Sequence, residues 1–335
     1  MREISQATRL ATSTDVAKRA KVSRSTVSAI LNGHGQRFPE DTQSRVKAAA
    51  EELNYHPSAA GRSLVKGRSD TLVLLIPNST FGPNLQDSVD KIVDEVEGYI
   101  GNVVVRFSGK DQRRSLANIE TMRPLAVISF GVTLSEEDYD RLERNGISVL
   151  PPRQFAHENG SMDGGVAALQ LDAIAATIER DIWYASISDS RTDTFSPARL
   201  RSLKELCRRN NYKAPHEIAI HTNGAPAEKE LKRILRVSST ANILCYNDDV
   251  AISLLAAARD TGVSVPGTIT VVGVDNTFSG QLWSPRLTTI NPRTSTFANY
   301  ISSQLKELLE GKSLEQLPTS TWMSIVQGET TLQVS

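Results

Sequence analysis

Over residues 13–53 the apolar positions recur three and four apart, whereas from Thr71 onward they gather into short aliphatic runs separated by amphipathic stretches. The first pattern predicts three short helices. Ser13 is placed to cap Thr14–Ala20, whose Val16, Ala17 and Ala20 share a face, and a break follows at Lys21–Val22. Ser23 caps a second helix, Arg24–Asn32, which Gly33 ends. Pro39, in the first turn with Glu40 and Asp41, opens a third helix reaching about Leu53. The second pattern predicts strands at Leu72–Ile76, Val103–Phe107, Ala126–Phe130, Ile147–Leu150, Trp183–Ile187, Ile218–His221, Ile243–Tyr246 and Ile269–Val274. Helical stretches lie between them at Asp87–Tyr99, Glu136–Asn145, Val166–Ile178, Arg199–Arg208, Glu228–Val237 and Asp249–Thr261. Strands alternating with helices make βαβ units and parallel sheets, and eight of them fit two open sheets better than one.

The second helix carries the first hint of chemistry. Val27, Ile30 and Leu31 form its apolar face, and Arg24, Ser25, Ser28, Ala29 and Asn32 form the other. A small, hydrogen-bonding face with one arginine at its start suits a DNA major groove, where a guanidinium can grip guanine O6 and N7 and a methyl can meet thymine. Ser13, Ser23 and Thr42 lie near helix starts, where backbone N–H groups hold phosphates, and Lys18, Arg19 and Lys21 add a non-specific attraction. Taken alone, the same pattern is equally a small helical bundle with a solvated face.

Charge sharpens the contrast between the two parts. The 335 residues are neutral overall, yet residues 1–66 hold 11 Lys and Arg against 6 Asp and Glu, leaving 27 against 32 in the rest. A basic head on an acidic body points to an anionic partner for the head alone. The two cysteines are far apart, and no apolar run approaches the ~18 residues of a membrane span, so a disulfide framework, a zinc cluster and a membrane partner are not expected. With no secretory pattern at residues 1–12, the cytoplasm is the expected compartment, at the nucleoid if the head binds DNA. No cofactor is expected either. Gly311-Lys312-Ser313 lacks the first glycine of a phosphate loop, because Lys306 stands there, and the five histidines show no metal-ligand spacing.

The run Thr14-Asp-Val-Ala-Lys-Arg-Ala-Lys-Val-Ser-Arg-Ser-Thr-Val-Ser-Ala-Ile-Leu-Asn32, with Thr42-(x)3-Val46-(x)2-Ala49-Ala50-(x)2-Leu53-Asn54-Tyr55-(x)-Pro57 after it, resembles the headpiece of the lactose-repressor (LacI/GalR) family of bacterial transcription regulators. The resemblance implies a helix-turn-helix headpiece at 1–57, a hinge helix and linker at 58–69, and a core at 70–335 for effector binding and dimerisation. That core would be α/β, two-lobed and similar to periplasmic binding proteins. One lobe would take about 70–160 and 292–320, the other about 161–291 and 321–335. They would meet near His157–Gly165, Ile290–Pro292 and Thr319–Trp322. The resemblance also assigns Thr14, Thr26, Tyr55 and Ser58 to the DNA-contacting set, and Leu64 to a hinge position that wedges into the minor groove. Gly61 lies inside that hinge and weakens it as a helix by ~1 kcal/mol.

In two-lobed open sheets, ligands bind outside the carboxyl ends of the strands. The polar residues there are Asn78, Ser79, Ser108, Asp189, Asn247, Asp248, Asp275 and Asn276. The resemblance singles out Arg199, in Phe195-(x)3-Arg199-Leu200, with Asn247 and Asp275, as effector-binding groups suited to sugar hydroxyls or a charged metabolite. Helix caps and salt bridges between lobes are the alternatives for each.

Departures from the family pattern leave the effector open. The first strand-end loop, Pro77–Asn84, lacks the family's aromatic run, though Phe81 can supply a platform; the Asp-(x)4-Gly opening is absent near Asp163; and Gln327 stands where an arginine is usual.

The leading expectation is a sequence-specific transcription regulator. It would be a homodimeric repressor of a pseudo-palindromic double-stranded operator, controlled by a ligand between the lobes. A regulator with no small-molecule effector and a solute-binding module are the alternatives, and deleting residues 1–67 separates the last from the others. An enzyme is not expected, because no nucleophile–base pair or phosphate loop supports one.

Overall fold

The computed structural model describes residues 11–56, 69–77, 83–109, 111–153, 162–188, 195–221, 227–315 and 321–333. The chain divides into two compact units, Met1–Asp70 and Thr71–Ser335.

The first unit holds α1 (Ser13–Ala20), α2 (Arg24–Leu31) and α3 (Glu40–Glu52). Thr12, not Ser13, caps α1. Its hydroxyl accepts from the Asp15 N–H at 3.4 Å, and the Asp15 carboxylate accepts from the Thr12 N–H at 2.9 Å. A reciprocal pair satisfies two orphan donors where a lone serine satisfies one, so the helix begins one residue earlier than its serine suggested. Lys21 ends α1 in the left-handed region (φ 57°), which makes the tight turn into α2. Ser23 caps α2 by accepting from the Thr26 N–H at 3.1 Å. Pro39 stands at the N-cap of α3, just outside the helix rather than in its first turn. Val16, Val27 and Val46 are fully buried, with Ile30, Ala17, Ala20, Ala49 and Ala50 around them and Leu31, Phe38, Leu53 and Tyr55 at the rim.

The second unit contains two sheets. The first takes β1 (Thr71–Pro77), β2 (Asn102–Ser108), β3 (Ala126–Ser129) and β4 (Ser148–Leu150) in the order β2-β1-β3-β4, all parallel. The second takes β5 (Asp181–Ser188), β6 (His216–His221), β7 (Ala241–Cys245), β8 (Ile269–Val274), β9 (Thr288–Asn291) and β10 (Ser324–Val326), in the order β10-β9-β8-β7-β5-β6. Its one antiparallel pair joins β9 to β10, with Ile290 opposite Ile325. Between the strands run α4 (Pro83–Glu97), α5 (Gln112–Met122), α6 (Glu136–Arg144), α7 (Met162–Asp172), α8 (Phe195–Arg209), α9 (Glu228–Val237), α10 (Asp248–Thr261) and α11 (Phe278–Leu282), with α12 (Thr294–Leu309) after β9.

The inner strands β1, β3, β7 and β8 are buried on both faces, and that is why they read as unbroken apolar runs. Leu72, Leu74 and Ile76 face α4 and α12, while Val73 and Leu75 face α5 and α6. In the second sheet Tyr184, Leu244 and Val272 face α7 and α8, and Trp183, Ile243 and Val271 face α9 and α10. A single apolar cluster runs from the α4 and α12 side of the first sheet to the α7 and α8 side of the second. The chain passes between the sheets after Leu150, after Asn291 and between Leu309 and Ser324.

Among the described residues ten strands stand where eight were expected. β9 and β10 lie outside the apolar-run pattern because Thr288-Thr-Ile-Asn and Ser324-Ile-Val are short and partly polar. The expected Val166–Ile178 helix is α7 followed by a separate turn at Ala175–Thr177.

Candidate nucleic-acid interface and strand-end cluster

The outward side of α2 is narrower than its sequence suggested. Arg24 and Ser25 are exposed, and Thr26, Ser28 and Asn32 are half-buried. Ala29 is only 8% exposed, so its methyl adds little to the outward surface of the helix. Asn32 turns its amide back on the helix, donating to the Ser28 carbonyl at 2.7 Å and to the Ser28 hydroxyl at 3.2 Å. The structure brings Ser13 and Arg24 together across eleven residues. The Arg24 Nε donates to the Ser13 Oγ at 3.1 Å, which fixes the guanidinium at the N-terminal edge of α2. The hydroxyls of Ser25 and Thr26 sit 2.7 and 2.8 Å from the Ser23 Oγ, making a compact hydroxyl cluster at the same edge.

Thr14 is exposed on α1, and Thr42 is half-buried early in α3 with its hydroxyl accepting from Arg45 at 3.4 Å. Tyr55 packs against the core, its N–H donating to the Ala50 carbonyl at 2.8 Å. Lys18, Arg19 and Lys21 are all exposed, and Arg19 is ion-paired to Glu52 at 2.7 Å. Ser58, Leu64 and Phe81 lie outside the described residues, as do Asn78, Ser79 and Asp189.

In the second unit the effector candidates gather at the carboxyl ends of β7 and β8. Arg199 is 7% exposed; its Nη1 donates to the Tyr246 carbonyl at 2.5 Å and its guanidinium lies 5.4 Å from the Tyr246 ring centre. Asn247, next in the chain, caps α10 by accepting from the Val250 N–H at 3.0 Å. The buried Gln170 of α7 reaches the same strand end and donates to the Cys245 carbonyl at 2.8 Å. Asp275 and Asn276 form the turn after β8 with φ of 108° and 50°, two consecutive residues in a region that L side chains rarely adopt. The Asp275 N–H donates to the Ile290 carbonyl at 2.9 Å, and the Asn276 N–H to the Thr289 hydroxyl at 3.2 Å.

Beneath that turn lies Asp248, fully buried. One carboxylate oxygen accepts from the Thr277 N–H at 2.6 Å and the Thr277 hydroxyl at 2.9 Å; the other accepts from the Thr289 hydroxyl at 2.6 Å. Thr277 caps α11, whose Gly280 N–H donates to the Thr277 hydroxyl at 3.2 Å. Sequence reasoning placed Asp248 at a strand end but missed Thr277 and Thr289. Only the adjacency of β8 and β9 brings them within reach.

Burial pushes the Asp248 carboxyl up to about 6, against the pull of its three hydrogen bonds and with the nearby Asp249 adding to the rise. A carboxyl raised in the fold favours the protonated state, so its contribution to stability is complete below about pH 4, falls as pH rises toward 6, and is gone above that. Asp248→Asn is expected to remove this slope. The wild-type minus variant difference in melting temperature should change between about pH 4 and pH 7, as the pH passes through the raised value, and be flat above that. A parallel pair of melting curves across the whole range would refute it.

Among the described residues there is no group of three or more His, Cys, Asp or Glu placed to hold a metal, and no helix long and apolar enough to cross a membrane.

Comparison with known proteins adds two family matches. Residues 12–58 match the model of bacterial regulatory proteins, lacI family, and residues 176–331 match that of the periplasmic binding protein-like domain. Catabolite control protein A of Staphylococcus xylosus is 26% identical over 292 residues, which cover 82% of this chain and 85% of that protein. The lac repressor dimer, solved bound to operator and the anti-inducer ONPF, superposes with a TM-score of 0.75 at 22% identity, covering 97% of this chain and all of that one. A Lacl family regulator from Silicibacter pomeroyi superposes at 0.73 and 20% identity, covering 96% of this chain and 99% of that one. Both structural likenesses concern the fold.

Proposed function

We propose that this chain, whose residues 12–58 match the model of bacterial regulatory proteins of the lacI family, is a member of that family and works as a homodimeric repressor. It would act in the cytoplasm, at the nucleoid, on a pseudo-palindromic operator. The organisation proposed is a headpiece at 1–57, a hinge at 58–69 and a two-lobed core at 70–335.

The observation that carries the reading is the Arg24 guanidinium, held by Ser13 at the exposed N-terminal edge of a short helix that follows a tight turn. A helix so placed enters the major groove with its first residues against base edges. Ser13, Thr14, Ser23, Ser25, Thr26, Ser28, Asn32, Thr42 and Tyr55 are assigned to the surrounding contacts, and Ser58 and Leu64 to the hinge. The dimer reading is supported by two pairs of exposed apolar side chains among the described residues, one on α11 and one on the edge strand β2. Phe278 and Leu282 of α11 are 78% and 69% exposed, and Val105 and Phe107 of the edge strand β2 are 41% and 50% exposed. Arg199, Asn247 and Asp275, with Phe81, are the proposed effector groups. A second reading, regulation without a small molecule, is favoured by one observation: Arg199 and Asn247 already bond to the chain's own backbone.

The test is selection of bound duplexes from a random DNA pool by the purified protein. A two-fold symmetric site is expected. Enrichment of an isolated half-site would overturn the dimer, and no enrichment at low or moderate salt would overturn sequence-specific recognition. On the selected site, Arg24→Ala should relax one base position in each half by about 1–3 kcal/mol while leaving the others intact. An equal loss on all sequences would make Arg24 a phosphate contact.

A further inference from the structure

Asp248 is the meeting point of three segments that are remote in sequence. It begins α10, directly after the strand end that carries Tyr246 and Asn247. Through Thr277 it holds the start of α11, and through Thr289 it holds β9. The Thr289 hydroxyl in turn accepts from the Asn276 N–H, so the left-handed Asp275–Asn276 turn is fixed from both sides by groups that converge on one carboxylate. The fold keeps space for it. A Cβ on Gly273 would fall 2.2 Å from an Asp248 oxygen, and one on Gly280 would fall 3.2 Å from the other. Two glycines, one on β8 and one on α11, thus let a charged group lie against main chain. Burying a carboxylate is costly unless it is fully hydrogen-bonded, and these three donors supply that compensation.

α11 is only five residues long, and it presents Phe278 and Leu282 outward. So short a helix has almost no stability of its own. Its position depends on its cap, Thr277, and both the backbone N–H and the hydroxyl of that cap are held by Asp248.

We propose that Asp248 is a positioning residue that locks the Asp275–Asn276 turn and the exposed face of α11 into one arrangement, so that the ligand end of the second sheet and the contact surface for a second copy of this chain are coupled through a single buried carboxylate. The inference rests on the dimer and effector reading above. It predicts that a change at the Asp275 turn reaches the subunit contact without passing through the rest of the lobe.

The experiment uses the full chain. The dimer dissociation constant is measured by sedimentation equilibrium, and backbone amide exchange is followed through residues 275–283, for wild type, Asp248→Ala, Thr289→Val, the double variant and Asp248→Asn. Asp248→Ala should raise the dissociation constant by roughly 10-fold or more and speed exchange in 275–283 by a similar factor. Thr289→Val should do less, and the double variant should match Asp248→Ala alone, because both act through one contact. Asp248→Asn should return both readouts to within ~3-fold of wild type, since its amide oxygen can accept from the Thr277 pair and its amide NH2 can donate to the Thr289 hydroxyl, reversing that one bond. Additive effects of the two single changes, unchanged exchange through 275–283, or failure of asparagine to restore the dimer would overturn the proposal. If Asp248→Ala does not fold, Thr289→Val and Asp248→Asn still decide. A wild-type chain that stays monomeric would sink the dimer reading instead, and the exchange measurement would then judge Asp248 by itself.

Discussion

Ile30→Ala is expected to abolish operator binding at ordinary DNA concentrations while leaving the melting of the α/β unit where it was. Of the eight buried residues that form the apolar cluster of the three-helix unit among the described residues, four are alanines and three are valines, so Ile30 is the largest. Truncating such a side chain removes its transfer energy and leaves a cavity, at about 2–5 kcal/mol. A unit of this size has a stability on the order of only 3–7 kcal/mol. The loss therefore consumes most of it, and α2 is no longer held against α1 and α3. The α/β unit has its own clusters and does not use Ile30. Fluorescence anisotropy on the selected duplex would show the lost affinity, and calorimetry would show the unchanged transition. Because DNA binds only the folded headpiece, raising its concentration should recover part of the binding by mass action. Wild-type affinity in Ile30→Ala would mean that the unit is far more stable than its core suggests.

Gly328→Ala should have the largest effect on the α/β unit. An added Cβ would lie 2.3 Å from the Arg286 carbonyl oxygen and 2.5 and 2.6 Å from the carbonyl carbon and oxygen of Leu287. All three are main-chain atoms, so no rotamer change makes room. The segment cannot retreat easily either. The Gly328 N–H donates to the Thr288 hydroxyl at 3.0 Å, the Arg286 N–H to the Glu329 carboxylate at 2.8 Å, and the Thr330 hydroxyl to the Val271 carbonyl at 2.6 Å. A cost of roughly 3 kcal/mol or more is expected, which lowers the melting temperature by ~5–10 °C in a unit of this size. Gly146→Ala is the control: φ is +70° there, but nothing lies within 4 Å. It should cost only the ~1–2 kcal/mol of backbone strain. Equal shifts for the two would remove the steric argument.

What could be read beforehand follows from where each element's information lies. Strands covered on both faces, such as Thr71–Pro77 and Ala241–Cys245, declare themselves as apolar runs. β9 does not, because Thr288 and Thr289 are fully buried yet polar, and their hydroxyls are satisfied by Thr331 and Asp248 from elsewhere in the chain. No local pattern signals a threonine that is apolar by virtue of distant partners. In the headpiece the apolar face of α2 was legible from spacing, but its reading face was not. Ala29 and Asn32 are polar-side by helical arithmetic, but Ala29 is left only 8% exposed and Asn32 turns its amide back onto Ser28. The strand-end residues Arg199, Asn247 and Asp275 were found by type and place. The grip of Asp248 on Thr277 and Thr289 depends on a register between β8 and β9 that exists only in the folded sheet.

The antiparallel return of β10 onto β9 also sets a schedule for synthesis. Thr330 and Thr331 reach back to Val271 and Thr288, and Ile325 lies beside Ile290. The ribosome makes the 32 residues between Asn291 and Ser324 before this edge of the second sheet can close. At ~5–20 residues per second, the nascent chain carries an open β9 edge for about 2–6 s. An unpaired edge is a template for a neighbouring nascent chain. Several ribosomes on one message would therefore bring identical open edges close together, and the cell's chaperone demand for this protein should be concentrated in that interval.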